Sequence, residues 1–388
     1  MGKQLPDITN APPDTLLNMR TSIYTCLFAL AMISSVCAHG QKETDPRVIA
    51  YFAGRVEQLD SIDVNKLTHL IFCFGHLNGN RYRLDQAKDT VMIRKMVSLK
   101  SKNPNLKVIL SLGGWGGCET CSFAFSTDEG RQEFATEFKK LNDYFHTDGI
   151  DLDWEYPTIR LDNDVDKNPV HQAGPADRDN FTDLVRKLRI ALGTKHELSF
   201  AAGGFDTYLT GSVDWAKVMP EVNYVNLMSY DIINGYSVET GHHTALYSTP
   251  KQKESTDNAV GYLLKIGVDP KKIIIGAAFY ARVWEKVPAK DNGLYQPGKF
   301  KNAFNYSEFA KRLGPGSGYE SFWDDTAKAP YSYNKKQKLF ATYDDRRSMG
   351  EKTNYVISKG LGGIMFWELG ADIYRGGLLD AITETIRQ

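Results

Sequence analysis

Eight short runs of β-branched and other apolar residues recur along this chain, and helix-like segments of mixed charge lie between most of them. The runs cover residues 48–52, 69–74, 107–112, 149–152, 198–202, 224–228, 273–278 and 363–367. Helix-like segments include residues 130–145, 178–192 and 257–266. Eight strands alternating with helices over about 340 residues predict a (β/α)8 TIM barrel, an α/β fold, although a doubly wound sheet has a similar local pattern.

The spacing breaks once, between the seventh and eighth runs. Roughly eighty residues follow residue 282 before the last run, which is more than one helix and its loops require. This interval contains a glycine-rich segment at residues 314–318 and several aromatic residues. We therefore predict a single catalytic domain, residues 41–388, with a small α+β insertion at about residues 283–340 between strands 7 and 8.

The N-terminal region has the pattern of an export signal. Met19 and Arg20 precede an apolar stretch at residues 23–36, and small or polar residues follow it. The stretch of roughly fourteen residues is short for a membrane span of about 20. We expect residues 1–40 to be an N-terminal extension and signal peptide. The mature chain is then secreted, extracellular or periplasmic, and has no membrane span.

The charge balance restricts the partners. Lys and Arg total 47, and Asp and Glu also total 47, so the formal net charge is zero. Neither a nucleic-acid footprint nor polyanionic character is indicated. We expect a neutral substrate, no nucleic-acid partner and a monomeric protein.

The cysteines after the predicted signal suggest a disulfide. Cys118 and Cys121 lie three positions apart in a glycine-rich loop, where an exported protein favours a local disulfide. Zinc needs two more ligands of suitable spacing, and the neighbouring sequence offers none. Cys73 lies in an apolar run and is predicted to be a buried thiol.

Two other patterns resemble metal sites weakly. Residues 162–168 begin with the spacing of a Ca²⁺-binding loop, but Lys167 occupies the position of its glycine, so we interpret them as a solvated loop. His242 and His243 have no partner at metal spacing and are predicted to be surface or cleft-lining residues. We predict no metal site.

The chemistry concentrates in residues 148–157. On a strand Asp151, Asp153 and Glu155 share one face, while Ile150 and Leu152 share the other. In a barrel the apolar face suits the helix ring, which leaves the carboxyls inside. Three such carboxyls repel one another when ionised, so at least one is expected to hold a proton at neutral pH. The run alone leaves acid catalysis and a divalent-metal site both open.

The wider pattern resembles family 18 of the glycoside hydrolases, the chitinases and their relatives. The sequence DGIDLDWE resembles the DGxDxDxE signature of that family, and SLGG, MSYD, GAAFYAR and GGIMFW resemble four further motifs in the same order. The motif GAAFYAR usually ends in Tyr-Gly-Arg, and Ala281 takes the place of the glycine in this chain. The five motifs occupy residues 148–155, 111–114, 228–231, 276–282 and 362–367.

The resemblance implies a chitinase that needs no cofactor. Its substrate would be chitin or chitooligosaccharides, cleaved between β-1,4-linked N-acetylglucosamine units with retention. The substrate's own acetamido oxygen would replace a protein nucleophile. Glu155 would act as acid and then base, Asp153 would turn between Asp151 and the acetamido N–H, and Tyr230 would hold the acetamido oxygen.

The resemblance also implies a set of binding residues. Asp231 would bind the distorted sugar, Trp367 would form the floor beneath it, and Tyr51 and Ser111 would support the buried Asp. Trp115 is our preferred sugar-stacking platform over Trp284 and Trp323, because an aromatic ring suits the apolar face of a pyranose. The remaining predicted substrate-binding residues are Tyr156, Met228 and Arg282.

Two other functions share this pattern. A chitooligosaccharide-binding lectin of the same fold would typically lack the acid, and Glu155 argues against it. An endo-β-N-acetylglucosaminidase acting on N-glycans generally lacks the insertion, so the aromatic insertion favours chitin.

Overall fold

The computed structural model describes residues 45–160 and 173–388, and the strands in these ranges form two sheets. The predicted signal segment and the loop of residues 162–168 lie outside the described residues. Within the described ranges, the structure contains no helix whose length and apolar character would let it cross a membrane.

The strands alternate with helices along most of the described chain. The strands are β1 (Arg47–Phe52), β2 (His69–Asn78), β3 (Arg81–Arg83), β4 (Lys107–Gly113), β5 (Gly149–Asp153), β6 (Glu197–Gly203), β7 (Tyr224–Met228), β8 (Ile273–Ala278), β9 (Tyr280–Glu285), β10 (Lys299–Asn305), β11 (Glu320–Asp324), β12 (Ala329–Asn334), β13 (Leu339–Thr342) and β14 (Gly363–Trp367). The α-helices are α1 (Ala87–Ser98), α2 (Cys121–Ala124), α3 (Asp128–Phe145), α4 (Asp177–Leu192), α5 (Asp206–Gly211), α6 (Trp215–Val218), α7 (Thr256–Lys265), α8 (Phe309–Arg312), α9 (Arg346–Lys359) and α10 (Leu378–Ile386).

The larger sheet closes into a parallel barrel. Strands β1, β2, β4, β5, β6, β7, β8 and β14 pair in parallel, each with its neighbours in that order. The ring closes because β1 pairs with both β2 and β14. A doubly wound sheet would leave β1 and β14 unpaired with each other. The predicted (β/α)8 barrel is therefore confirmed.

The alternation of side chains along each strand separates two cores. Ile49 and Tyr51 of β1 point into the barrel, where they pack with Ile71 and Met365 of neighbouring strands. The intervening Val48, Ala50 and Phe52 face outward and join the large core beneath the helices. Strand β2 continues to Asn78, beyond its predicted end at residue 74, because its last residues pair with the antiparallel strand β3.

Helices α3 and α4 show how capping residues set where a helix begins or ends. The Thr127 side chain accepts a hydrogen bond from the Gly130 N–H at the start of α3, and Asp128 and Glu129 lie in its first turn. Gly193, with a φ of 62°, ends α4 in a conformation that favours glycine. These ends fix where the chain returns to the barrel.

The five-stranded sheet forms the insertion. Its order is β10-β9-β13-β12-β11, all antiparallel, and it spans residues 280–342 with the short helix α8. A single residue, Phe279, separates β8 from β9. Trp284 is fully buried in a cluster of the insertion itself, and its indole N–H donates to the Ser237 carbonyl at 3.0 Å. The first strand of this sheet begins at Tyr280.

A buried ion pair joins the end of the insertion to the barrel. The Lys352 Nζ of α9 donates to Asp344 Oδ2 at 2.7 Å and to Thr244 Oγ1 at 2.5 Å. Asp344 also accepts from Thr244 Oγ1, from Ser348 Oγ and from the Ala278 N–H at the end of β8. Lys352 and Asp344 are both 0% exposed.

Candidate active site

The carboxyl stack lies on β5 and continues just past its end. Asp151 and Asp153 are buried on the barrel side, whereas Ile150 and Leu152 belong to the core beneath the helices. Glu155 follows the strand and is partly buried. The period-2 alternation of the strand therefore holds all three carboxyls in one column toward the barrel mouth.

Asp151, at the base of the column, accepts four hydrogen bonds. The Tyr51 and Ser111 hydroxyls donate to its Oδ2 at 2.8 and 3.0 Å. The Ser199 hydroxyl and the Asn226 amide donate to its Oδ1 at 2.6 and 3.1 Å. Burial raises the pKa of Asp151, and these hydrogen bonds oppose that shift because they favour the ionised form.

Asp153, the middle carboxyl, has few partners. Its Oδ1 is buried and has no hydrogen-bond partner among the described residues. Burial raises its pKa well above the usual value, and the charges of Glu155 and Asp151 add to the shift. A proton on Asp153 therefore relieves repulsion within the column.

Glu155 is tuned to hold a proton near neutral pH. Burial raises its pKa to about 7; the Tyr156 hydrogen bond opposes the shift and the charge of Asp231 adds to it. A group with such a pKa can give up and recover a proton at neutral pH. Tyr156 is partly buried and packs edge-on against Phe205 and Tyr208, next to the cis peptide bond between Glu155 and Tyr156.

A second charged cluster surrounds Asp231, which follows β7 with a φ of 57°. Arg282 of β9 donates two hydrogen bonds to its carboxylate, one to each oxygen, and the Tyr280 hydroxyl donates to Oδ1 at 2.7 Å. His243 Nδ1 lies 3.4 Å from the same Oδ1. Burial raises the pKa of Asp231, but the hydrogen bonds from His243 and Arg282 outweigh it and hold the pKa well below the usual range.

Aromatic and sulfur-containing side chains line the pocket above the column. The Trp367 ring stacks on Phe74, with centroids 5.4 Å apart and planes 12° apart, and lies 6.2 Å from the Tyr51 ring. Met228 belongs to the barrel-interior cluster, and the Tyr230 hydroxyl lies 3.8 Å from the Met365 sulfur. The pocket therefore combines carboxyls with an apolar wall.

Cys73 also packs in this pocket and is partly exposed rather than fully buried as predicted. Its position at the open end of the barrel, near the end of the parallel part of β2, explains the difference. Burial nevertheless raises the pKa of its thiol well above the usual value.

The loop after β4 carries Trp115, whose side chain is 57% exposed. Its ring lies 6.4 Å from that of Tyr236, which is 65% exposed on the loop after β7. Cys118 and Cys121 of the Trp115 loop are joined in a disulfide. The other two tryptophans considered from the sequence differ, because Trp284 is buried and the Arg347 guanidinium lies 3.7 Å from the Trp323 ring centre.

The described residues contain no group of three or more His, Cys, Asp or Glu side chains placed to hold a metal ion. His242 and His243 are both 0% exposed, so their predicted position at the surface or cleft was wrong. Each is buried because its ring packs between the barrel and the insertion and reaches an aspartate.

Four residues of the site were missed by the sequence reasoning. Ser199 and Asn226 reach Asp151 from β6 and β7, and Tyr280 and His243 reach Asp231. Ser199 and Asn226 are polar residues within apolar strand runs, which is a local sign of a buried polar contact. In the structure, the pairing of β5 with β6 places Ser199 beside Asp151. Tyr280 and His243 have no such local signal.

The sequence also matches a known protein family. Residues 47–372 match the family model described as glycosyl hydrolases family 18. The chain belongs to glycosyl hydrolase family 18. This confirms the resemblance and identifies a glycoside hydrolase.

Relatives in family 18 share much of the chain. It is 34% identical over 305 residues to chitinase A1 of Niallia circulans, covering 72% of this chain and 42% of that protein, which is less than two thirds of its length. It is 27% identical over 415 residues to chitinase B of Serratia marcescens, covering 88% and 79%. A solved family 18 N-acetylglucosaminidase from Paenibacillus barengoltzii superposes with a TM-score of 0.79 at 34% identity, covering 88% and 100%.

Proposed function

We propose that this protein is a chitinase that hydrolyses β-1,4 bonds between N-acetylglucosamine units, with retention and with help from the substrate's acetamido group. The observation that carries the proposal is the carboxyl column. Burial raises the pKa of Glu155 to about 7. Asp153, the next carboxyl down the column, has an Oδ1 that lacks a partner among the described residues. Membership of family 18 and the similarity to chitinases support the substrate class.

In the first step Glu155 gives its proton to the glycosidic oxygen as the bond from that oxygen to C1 breaks. The acetamido oxygen of the same sugar attacks C1 and forms a cyclic oxazolinium ion. Asp153 turns from Asp151 toward the substrate and accepts the acetamido N–H with its free Oδ1, and as its proton passes to Asp151 it stabilises the positive charge. Before this step the four hydrogen bonds to Asp151 favour its ionised form beneath the protonated Asp153.

In the second step water attacks C1, its proton passes to the Glu155 carboxylate, and the ring of the intermediate opens. The acetamido oxygen and the water attack opposite faces of C1, so the configuration is inverted twice and the product is a β-anomer, as in the substrate. Tyr230 holds the acetamido oxygen and Asp231 binds the sugar undergoing reaction. Trp367 forms the apolar floor beneath this sugar.

The outer groove binds the rest of the chain. Trp115 is exposed on the disulfide-bonded loop, and its ring suits the apolar face of a pyranose. Arg282 acts through Asp231, to which it donates two hydrogen bonds. Tyr51 and Ser111 act through Asp151, and Met228 and Tyr156 shape the pocket walls. We propose secretion of the mature protein, as the predicted signal suggests.

The test is hydrolysis of chitotetraose by the wild-type protein beside Glu155→Gln, with the anomeric form of the products followed by NMR. We expect β-anomeric products from the wild type and a loss of at least a thousandfold in kcat for the variant, since an acid that also serves as base acts in both steps. Glu57→Gln makes the same chemical change at an exposed position and should leave the rate unchanged.

Three results would contradict the proposal. Binding of chitotetraose without turnover would favour a lectin. Release of single N-acetylglucosamine units alone would favour the activity named for the Paenibacillus barengoltzii relative. Glycan release from a high-mannose glycoprotein, with chitotetraose left intact, would favour an endo-β-N-acetylglucosaminidase.

A further inference from the structure

Two adjacent buried histidines connect the insertion to the charged cluster of the active site. His242 Nε2 lies 3.0 Å from Asp324 Oδ2 at the end of β11, in the insertion. His243 Nδ1 lies 3.4 Å from Asp231 Oδ1 in the candidate active site. Both rings are 0% exposed. The dipeptide therefore contacts an aspartate on either side.

The hydrogen bonds fix where the ring protons lie. A carboxylate accepts only, so the nitrogen that faces it must carry the proton. The opposite nitrogens, His242 Nδ1 and His243 Nε2, have no partner among the described residues, and burying an N–H there would leave a donor unsatisfied. Burial lowers the pKa of His243, so its ring is neutral at pH 7 and has one proton to donate, toward Asp231.

The backbone around the two histidines has little freedom. The His242 N–H donates to Gln252 Oε1 at 2.9 Å, and Gln252 Nε2 donates back to the His242 carbonyl at 2.8 Å. The His243 N–H donates to Thr342 Oγ1 on β13. The two residues are adjacent in the chain, so these bonds hold both of them in one short segment between Asp324 and Asp231.

Asp324 is in turn oriented by the insertion. Its Oδ1 accepts the N–H groups of Thr326 and Ala327 at 2.9 and 3.1 Å, which leaves Oδ2 facing His242. The neighbouring Asp325 is exposed and pairs with Lys328 at 2.8 Å instead. The two adjacent aspartates thus differ in burial, in the turn that Asp324 caps and in contact with the histidine pair.

We propose that Asp324 and His243 are positioning residues through which the insertion orients the Asp231 carboxylate. The other groups facing Asp231 are Arg282, Tyr280, Tyr230, Tyr156 and Glu155. Arg282 and Tyr280 belong to β9 of the insertion, whereas His243 reaches Asp231 Oδ1 from the loop between β7 and α7, with its ring 5.3 Å from that of Tyr280. The effect on catalysis rests on the proposed function, because Asp231 is assigned there to the reacting sugar.

The experiment compares Asp324→Ala with Asp325→Ala as its matched control. We expect Asp324→Ala to lower kcat on chitotetraose about tenfold with KM changed less than twofold, since a small misplacement of a group that acts in the transition state lowers kcat. Asp325→Ala should match the wild type. The ¹⁵N signals of the His243 ring should shift in Asp324→Ala and stay in place in Asp325→Ala.

A second pair of variants separates positioning from a structural role. His243→Leu removes the N–H that favours ionised Asp231, so the acid limb, which is the fall of kcat/KM at low pH where Asp231 takes up a proton, should move to higher pH. His243→Asn places an amide N–H near the same position and should restore the limb. A stability loss without movement of the limb would overturn the proposal.

Failure of the proposed function is distinguishable from failure of this inference. If the wild type does not hydrolyse chitotetraose, the proposed function fails, and the His243 ring signals still decide the coupling. Unchanged His243 signals in Asp324→Ala overturn the inference whatever the activity. If that variant does not fold, Asp324→Asn keeps the oxygen that caps the turn but presents a donor to His242, and it is held to the same His243 criterion.

Discussion

Replacing Lys352 by Met tests the buried ion pair between α9 and Asp344. Both groups are 0% exposed, and the change leaves Asp344 charged, with only the Thr244, Ser348 and Ala278 donors. Removing one partner of a buried pair destabilises a protein by about 3–5 kcal/mol. For a domain of about 340 residues, an unfolding entropy of roughly 0.7 kcal/mol per kelvin converts that loss to a fall in Tm of about 4–7 °C.

The assay is calorimetric unfolding at pH 7, with Lys359→Met as control. Lys359 lies on the same helix, its side chain is 46% exposed, and it is 3.8 Å from Asp257, so its loss should change Tm by less than about 1 °C. The double variant Lys352→Met with Asp344→Asn removes the stranded charge and should recover part of the loss. A Tm for Lys352→Met within 1 °C of the wild type, or a double variant less stable than the single, would refute the reasoning.

Two further predictions concern activity. Glu155 must be protonated to act as the acid, and burial raises its pKa to about 7. We therefore expect kcat/KM to be high below that pH and to fall about tenfold per pH unit above it. A pH–rate profile on chitotetraose that still rises above pH 9 would contradict this. Tyr51→Phe removes a 2.8 Å hydrogen bond to Asp151 and the acceptor of the Asn226 amide, so we expect kcat to fall by about one order of magnitude with little change in KM, from steady-state kinetics.

Much of the fold follows from local pattern. The number of apolar runs of strand length, with helix-like segments between them, favours a barrel without excluding a doubly wound sheet. The predicted strand bounds differ from the observed ones by at most one residue, except at the end of β2. The carboxyl column was equally predictable, because alternation along one strand puts Asp151, Asp153 and Glu155 on the same face whatever the partners of that strand.

The partners of those carboxyls could not be predicted in the same way. Ser199 reaches Asp151 because β5 and β6 pair in one register, and a shift by one residue would turn Ser199 to the outside. His243 and Asp231 are twelve positions apart and meet through loop conformation, which no periodicity encodes. The buried Trp284 is a similar case, since its indole partner is a backbone carbonyl of another loop.

The pairing of β1 with β14 has a consequence for synthesis of the chain. Until Gly363–Trp367 has left the ribosome, β1 and β8 each have an open edge of unpaired backbone groups, and such edges invite pairing with other chains. The barrel therefore cannot close until the chain has been synthesised as far as β14. Chains trimmed before residue 368 would expose those edges permanently, so shortening this enzyme from its C-terminus favours aggregation and does not give a smaller catalyst.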